Sequence, residues 1–352
     1  MTFSLHAQRF HLLATAACRR CGGPYPRKGF PHRCPDCDGV FGLVPRASTA
    51  SPGTVPIFSL GEGKTPLLPL KGRGEEVFVK CEHYNPTGSY KDRGTARLVG
   101  ELVRQAVRAA VEDSSGNAGA SFAAYAARAG IAARIYVPES ASGPKLAQIE
   151  RVGAELVRVP GPRQKATDAV YEALEQGGVY ASHAYQPHWL AGVAGMALEI
   201  VEELGQPGSV VVPVGQGGLL VSLYAGFRAL LQHGLIASLP VLMGMQAERC
   251  APLWYRQTGR PQPDTWGSSL AEGICVSAPA RGDEVLEALE GSGGQINVVR
   301  EDAIRAGVDA LASQGLDVEP TSGVVYAALE LLPSLPRPTV LVLTGHGLKT
   351  RS

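Results

Sequence analysis

One lysine, Lys91, stands in the stretch Asn85-Pro86-Thr87-Gly88-Ser89-Tyr90-Lys91-Asp92-Arg93-Gly94, a turn of small and hydroxyl-bearing residues at the threshold of a helix. A lysine on a charged surface stays protonated and inert. One drawn into a cleft can lose its proton and attack a carbonyl carbon to form a Schiff base. An exposed lysine at an ordinary helix start is the bland alternative, and the neighbouring loops weigh against it. Asp113-Ser114-Ser115-Gly116-Asn117-Ala118-Gly119 sits between an expected strand, Ala109 to Glu112, and an alanine-rich helix. Backbone N–H groups at a helix start, the positive end of the helix dipole and two serine hydroxyls suit a carboxylate there. A plain Ser/Asn helix cap is the competing reading. Val214-Gly215-Gln216-Gly217-Gly218-Leu219 follows another expected strand and lets several amides converge on an anion. No acidic residue is placed to hold a ribose, and no Gly-Lys-Ser/Thr ends the run, so neither a dinucleotide fold nor a Walker loop is expected.

Four of the seven cysteines form a second constellation, Cys18-x-x-Cys21 and Cys34-x-x-Cys37, with twelve residues between the two knuckles. Each knuckle can aim two thiolates at one ion, and two knuckles complete a tetrahedral zinc ribbon, closed and therefore structural. Two disulfides or redox pairs are the alternatives, the first disfavoured because no secretory signal is read here. Leu12 to Cys18 resembles a lipoprotein cleavage site only faintly, with a short apolar run and a single basic flank, and is set aside. Cys81, Cys250 and Cys275 read as isolated, buried small residues. The basic residues Arg19, Arg20, Arg27, Lys28 and Arg33 around the ribbon would suit nucleic acid, but they are equally an ordinary solvated surface.

The elements that must position these groups follow from apolar periodicity. Short β-branched runs alternate with longer amphipathic stretches from about Ser48 onward, the mark of βαβ units and parallel sheet. Strands are expected at 77–80, 133–137, 155–159, 209–212, 241–245 and 339–343, and helices at 118–129, 167–174 and 189–204, the first stopped by Gly130. The 352 residues fit about two domains, and 45% hydrophobic content supplies a sizeable core. Lys plus Arg at 33 against Asp plus Glu at 32 gives no electrostatic reason to expect nucleic acid or an acidic membrane as partner. No run is long enough to span a bilayer. A small metabolite in the cytoplasm is the default.

Tyr90-Lys91-Asp92-Arg93-Gly94 with Asn85 to Gly88 ahead of it, the serine-glycine-asparagine loop, Glu319-Pro320-Thr321-Ser322-Gly323 and Leu343-Thr344-Gly345-His346-Gly347-Leu348-Lys349 together resemble threonine synthases and their relatives. These are pyridoxal-phosphate enzymes of the tryptophan synthase β-subunit fold. The resemblance runs from about Gly61 to Lys349. It implies an α/β, two-domain fold-type-II architecture with parallel sheets behind a small N-terminal ribbon. The expected division is 1–46 for the ribbon, 47–95 with 187–352 for a larger cofactor domain, and 96–186 for a smaller inserted domain, with the active site between the last two. It further implies Lys91 as covalent anchor and proton shuttle, and Asn117 as partner of the cofactor's phenolic oxygen. Gly215, Gln216, Gly217, Gly218 and Leu219 become the phosphate cradle, and Thr344 the partner of the pyridine nitrogen. Ser114, Ser115, Asn117 and Ala118 would hold the substrate's α-carboxylate, and a homodimer is expected. Glu319 to Gly323 would line the cofactor pocket at a helix start. Of the histidines near these motifs, His83, His183, His188 and His346, none is assigned as a base.

The implied activity is that of a lyase or synthase working at an amino acid's side chain, first O-phospho-L-homoserine plus water to L-threonine plus phosphate. One stretch departs from the family pattern. Where threonine synthases carry an asparagine-serine pair and a later arginine for the substrate phosphate, this chain has His183-Ala184 and Trp189. That keeps open a serine or threonine dehydratase, or a β-replacement synthase of the cysteine or cysteate type. A non-catalytic zinc-ribbon binding protein is the reading from a different class, and the intact Lys91, Asn117, Gly215 and Thr344 argue against it.

Overall fold

The computed structural model describes residues 14–45, 58–72 and 76–350. Leu12, Leu13 and the expected ribbon boundary at 46/47 lie outside the described residues. The strands in chain order are β1 (Ala14–Cys18), β2 (Phe41–Pro45), β3 (Leu67–Pro69), β4 (Val77–Lys80), β5 (Ala109–Glu112), β6 (Ala132–Pro138), β7 (Glu155–Val159), β8 (Ser209–Pro213), β9 (Val241–Ala247), β10 (Gln295–Val299) and β11 (Thr339–Val342). The chain separates into two compact units: Met1–Glu62, Asn85–Val193 and Lys349–Ser352 in one, Gly63–Tyr84 and Ala194–Leu348 in the other. This differs from the expected division in placing the ribbon and residues 85–95 with the three-stranded sheet. The helix that begins at Lys91 packs on the alanine-rich helix of that unit, which is why Lys91 goes with it.

The first unit joins the antiparallel pair β1–β2 to a parallel sheet in the order β5-β6-β7. Residues 179–181 run beside β5 as well, Val111 N–H donating to Val179 O at 2.8 Å and Ala181 N–H to Val111 O at 2.9 Å. The second unit is a six-stranded sheet, β10-β9-β8-β11-β4-β3, parallel except for the short edge strand β3. The central strands β8 and β11, Ser-Val-Val-Val-Pro and Thr-Val-Leu-Val, are buried at every position, as strands covered on both faces require. Sequence periodicity missed β3 and β10: β3 is three residues long with Pro69 at its edge, and β10 opens on an exposed glutamine.

The helix expected at 118–129 spans Asn117–Ala129 and ends at Gly130, whose φ of +70° is the left-handed C-cap. The helix expected at 167–174 spans Arg163–Glu175, because its polar first turn after Pro162 carries no apolar signal. The helix expected at 189–204 begins at Pro187, a residue suited to a first turn. This last helix meets the Lys91–Arg104 helix at two positions that admit no side chain. A Cβ on Gly192 would stand 2.1 Å from Arg93 O, and one on Gly94 would stand 2.4 Å from the Trp189 ring. The missing methyls let the indole lie flat on the Lys91 helix, and Trp189 is 1% exposed.

Gly192→Ala puts a methyl against backbone rather than against a yielding side chain. The expected result is a loss of about 1–3 kcal/mol of unfolding free energy, read from denaturant midpoints at unchanged slope.

Candidate active site

In the first unit, Lys91 is the first residue of its helix, and the turn ahead of it is closed by Gly88 N–H donating to Asn85 O at 2.7 Å, with Gly88 at φ +82°. Tyr90 occupies the N-cap without a side-chain cap bond, and the first-turn residue Asp92 reaches back to the preceding turn. Its carboxylate accepts from Thr87 N–H at 2.7 Å and from Thr87 Oγ1 at 2.5 Å, while Lys349 Nζ donates to Thr87 O at 2.6 Å. Burial pushes the Asp92 carboxyl up to about 6, against the pull of the hydrogen bonds from Ser121 and Thr87. Lys91 Nζ lies 2.7 Å from the Tyr90 hydroxyl and 5.4 Å from the centre of the Trp189 ring.

The loop after β5 starts Asn117–Ala129 at Gly116, in extended conformation, with Gly116 N–H bound to Ser114 Oγ at 3.2 Å. A Cβ on Gly119 would meet Ser114 O at 1.9 Å, so the loop folds back onto its own helix. Ser114, Ser115, Asn117 and Ala118 thus share one helix N-terminus, as the sequence implied, and free N–H groups there suit a carboxylate. Sequence reasoning gave no role to the residue just before this loop. Glu112, the last residue of β5, has Oε1 at 2.6 Å from His183 Nδ1, because residues 179–181 run alongside β5 and deliver His183 to its carboxyl end. Burial raises the Glu112 carboxyl well above its ordinary range, with Asp113 adding to it, and lowers the His183 imidazole well below its own, with Lys91 adding to that. The signal for Glu112 was two consecutive acids closing a strand before a glycine loop.

In the second unit the glycine loop and Thr344 leave the carboxyl ends of the paired strands β8 and β11, where open parallel sheets bind ligands. The helix Gly218–Gln232 begins inside the loop. A Cβ on Gly217, at φ +94°, would stand 2.6 Å from Val285 Cγ2, and one on Gly215 would stand 3.1 Å from Gly273 O. Glycine is what lets this backbone turn so tightly. The side chain of Gln216 is engaged elsewhere, its Oε1 accepting from Ala280 N–H at 2.9 Å, which leaves its backbone as the part available to an anion. Thr344 is buried, with Oγ1 at 3.2 Å from Ser322 Oγ and 3.4 Å from Glu319 Oε1. Ser322 sits in the first turn of Pro320–Tyr326, so the Glu319 to Gly323 motif is a helix start that also holds Thr344 in place.

The cysteine constellation comes together as expected: Cys18, Cys21, Cys34 and Cys37 offer sulfurs all within 4.8 Å of one another. Cys18 and Cys37 sulfurs are 3.4 Å apart, Cys21 and Cys34 3.7 Å, close to the spacing of about 3.8 Å that a tetrahedral site with 2.3 Å metal–sulfur bonds demands. Arg20 donates to Cys37 O and Arg33 to Asp38 O, so two of the flanking cations serve the ribbon itself. The ribbon also touches the segment that carries His183 and Trp189. Tyr25 OH donates to Gln186 Oε1 at 3.0 Å, Gln186 Nε2 donates to Phe30 O at 3.2 Å, and the Tyr25 and His188 rings meet edge to face at 5.1 Å. Cys250 and Cys275 are not the isolated residues the sequence suggested. Their thiols hydrogen-bond each other, which draws Cys275 down to about 7 and pushes Cys250 up.

A family model described as pyridoxal-phosphate dependent enzyme matches residues 58–345. The chain belongs to that family. Threonine synthase of Halalkalibacterium halodurans is 34% identical over 307 residues, covering 84% of this chain and 85% of that protein. Threonine synthase of Methanosarcina acetivorans is 30% identical over 370 residues, 94% and 91% of the two chains. Among solved structures, the threonine deaminase of T.th. superposes with a TM-score of 0.70 at 25% identity over 82% of this chain and 94% of its own. Maize serine racemase gives 0.71 at 20% over 81% and 88%, a likeness of fold. The chain is thus a pyridoxal-phosphate-dependent lyase of the threonine synthase-like family, with the mixed α/β fold of fold-type-II enzymes. Each unit by itself carries groups of the kind the cofactor takes: a lysine amine at a helix start in the first, and a glycine loop at a strand's carboxyl end with a buried threonine hydroxyl in the second. Bound pyridoxal phosphate supplies an electron sink for bonds made and broken on the amino acid. Among the described residues no helix is long and apolar enough to cross a membrane.

Because the folded-state carboxyl of Asp92 titrates near 6 rather than 3.8, the folded protein binds more protons than the unfolded chain between those values. Stability should therefore be highest below about pH 4 in this contribution and fall by about 3 kcal/mol as pH rises through 6. In Asp92→Asn, whose amide can still accept from Thr87 N–H, that slope should vanish from unfolding free energies measured between pH 4 and 7.

Proposed function

We propose that this lyase carries out elimination or replacement at the side chain of an amino acid, with Lys91 as covalent anchor and proton shuttle. The observation that carries the reading is Lys91 Nζ, at the first turn of its helix, 2.7 Å from the Tyr90 hydroxyl and walled by a buried indole. Asn117, the backbone of Gly215, Gln216, Gly217, Gly218 and Leu219, and Thr344 are the residues assigned to the cofactor. Ser114, Ser115, Asn117 and Ala118 are assigned to the substrate's α-carboxylate, Cys18, Cys21, Cys34 and Cys37 to a structural Zn²⁺. The proposed assembly is a homodimer acting on a small amino acid in the cytoplasm.

The name shared by the similar proteins supports O-phospho-L-homoserine plus water going to L-threonine plus phosphate. A second reading is favoured by Trp189. Each hydrogen bond from a charged donor to a phosphate contributes about 1.5–3 kcal/mol. The residue at the position of the family's arginine is instead a buried indole with one donor, packed on Gly94. That arrangement suits an uncharged side chain, as in deamination of serine or threonine or in β-replacement.

Purified protein should show a visible absorbance band that Lys91→Ala removes; a colourless wild type indifferent to added cofactor would refute the enzyme reading. Offering O-phosphohomoserine, threonine, serine and O-acetylserine, while following phosphate and keto acid release, separates the two substrate classes. The ribbon should hold one zinc per chain by elemental analysis. Cys34→Ser or acidification, which protonates the thiolates, should lower that ratio and raise KM more than it changes the far-UV spectrum.

A further inference from the structure

We propose that His183 and Glu112 form a proton relay that releases the side-chain leaving group, and that the relay suits a hydroxyl, making the substrate a β-hydroxy amino acid. The inference rests on the lyase reading above. His183 Nδ1 and Glu112 Oε1 are 2.6 Å apart. The second carboxyl oxygen of Glu112 is buried and has no hydrogen-bond partner among the described residues. Its neighbour Asp113 is differently placed, bound by Thr167 Oγ1 at 2.7 Å and by Tyr180 OH at 2.8 Å. Glu112 is therefore the member of the acidic pair not committed to holding the fold. His183 and Lys91 both lie near Trp189 in the same unit: the His183 ring is 6.1 Å from the Trp189 ring, and Lys91 Nζ 5.4 Å from it. Glu112 also opens the loop assigned to the α-carboxylate.

The charged groups around the pair are Asp113, Arg163 and Lys91, and burial keeps both members neutral. A neutral imidazole accepting at Nδ1 from a protonated carboxyl carries its own proton on Nε2, which is the state a donor needs. A phosphate or acetate leaves as a stable anion. Hydroxide does not, and must be protonated as its bond breaks. Lys91 Nζ takes the proton from Cα, the Cβ–O bond breaks, and the oxygen leaves with the bonding pair. That oxygen receives the Nε2 proton as Nδ1 receives the carboxyl proton, so water departs and Glu112 is left as carboxylate until a solvent proton restores it. Hydrolysis of the released product yields keto acid and ammonium, with no net oxidation or reduction.

The test uses holoenzyme of the wild type, His183→Gln and Glu112→Gln with serine and threonine, and with O-acetylserine or β-chloroalanine, whose leaving groups need no proton. For the hydroxy amino acids kcat/KM should fall about 10²–10⁴-fold in both variants, and for the activated substrates less than about tenfold, with the cofactor's absorbance band and its affinity unchanged. Equal losses for both kinds of leaving group, or no loss, would overturn the relay. A wild-type holoenzyme that gives no keto acid from serine or threonine overturns it too, while leaving the lyase reading intact. A wild type that binds no pyridoxal phosphate sinks both.

Discussion

Two missing methyl groups set the geometry around Lys91. Gly94 and Gly192 let the Lys91–Arg104 helix and the helix that begins at Pro187 approach until backbone and indole are in direct contact. Any side chain at either position would push the second helix outward and carry Trp189 away with it. Such close approach comes at the expense of chain entropy in the unfolded state, since each glycine has more freedom to lose on folding. The result is an apolar wall fixed beside the Lys91 amine. Burial of the whole indole contributes on the order of 2–3 kcal/mol to holding it there.

Opposite pressures act on the polar groups in this unit. Asp92 is buried and yet serves as acceptor for two donors of the preceding turn, so its hydrogen bonds fix Lys91 while its charge costs stability. Glu112 is buried with only one oxygen satisfied. A protein selecting for stability alone would replace such a group with an apolar one. Retained strain of this electrostatic kind is characteristic of sites that handle protons. Around Thr344 in the second unit the polar groups are satisfied: Ser322 bonds both the backbone and the hydroxyl of Thr344.

Much of this was legible in the chain itself, and the reasons differ from element to element. Strands β4 and β7 were readable to the residue because their β-branched residues met clear boundaries, β5 because it stands directly before the serine-glycine-asparagine loop, and the Asn117–Ala129 helix because Gly130 stops it. Lys91 at a helix start was legible because small residues and Pro86 announce the turn. The His183–Glu112 pair was not, since its members are 71 positions apart and meet only through residues 179–181 lying beside β5. Periodicity reports which face of a strand is apolar; it is silent on which strands become neighbours. The thiol pair Cys250–Cys275 escaped for the same reason.

The docking of the ribbon on Gln186 ties the four cysteine sulfurs to the segment that carries Trp189. Gln186 is fully buried and lies between His183 and Trp189 in the chain, its Oε1 accepting from Tyr25 OH of the ribbon and its Nε2 donating both to Phe30 O of the ribbon and to Tyr180 O. With an ion on the four thiolates, as proposed above, the shape that presents Tyr25 and Phe30 would depend on it, and the thiolate site and the 183–189 segment would be coupled through Gln186. Linkage is reciprocal. Binding that stabilises the 183–189 segment would then tighten a metal's hold on four cysteines that lie outside it, and metal binding would stabilise that segment by the same factor.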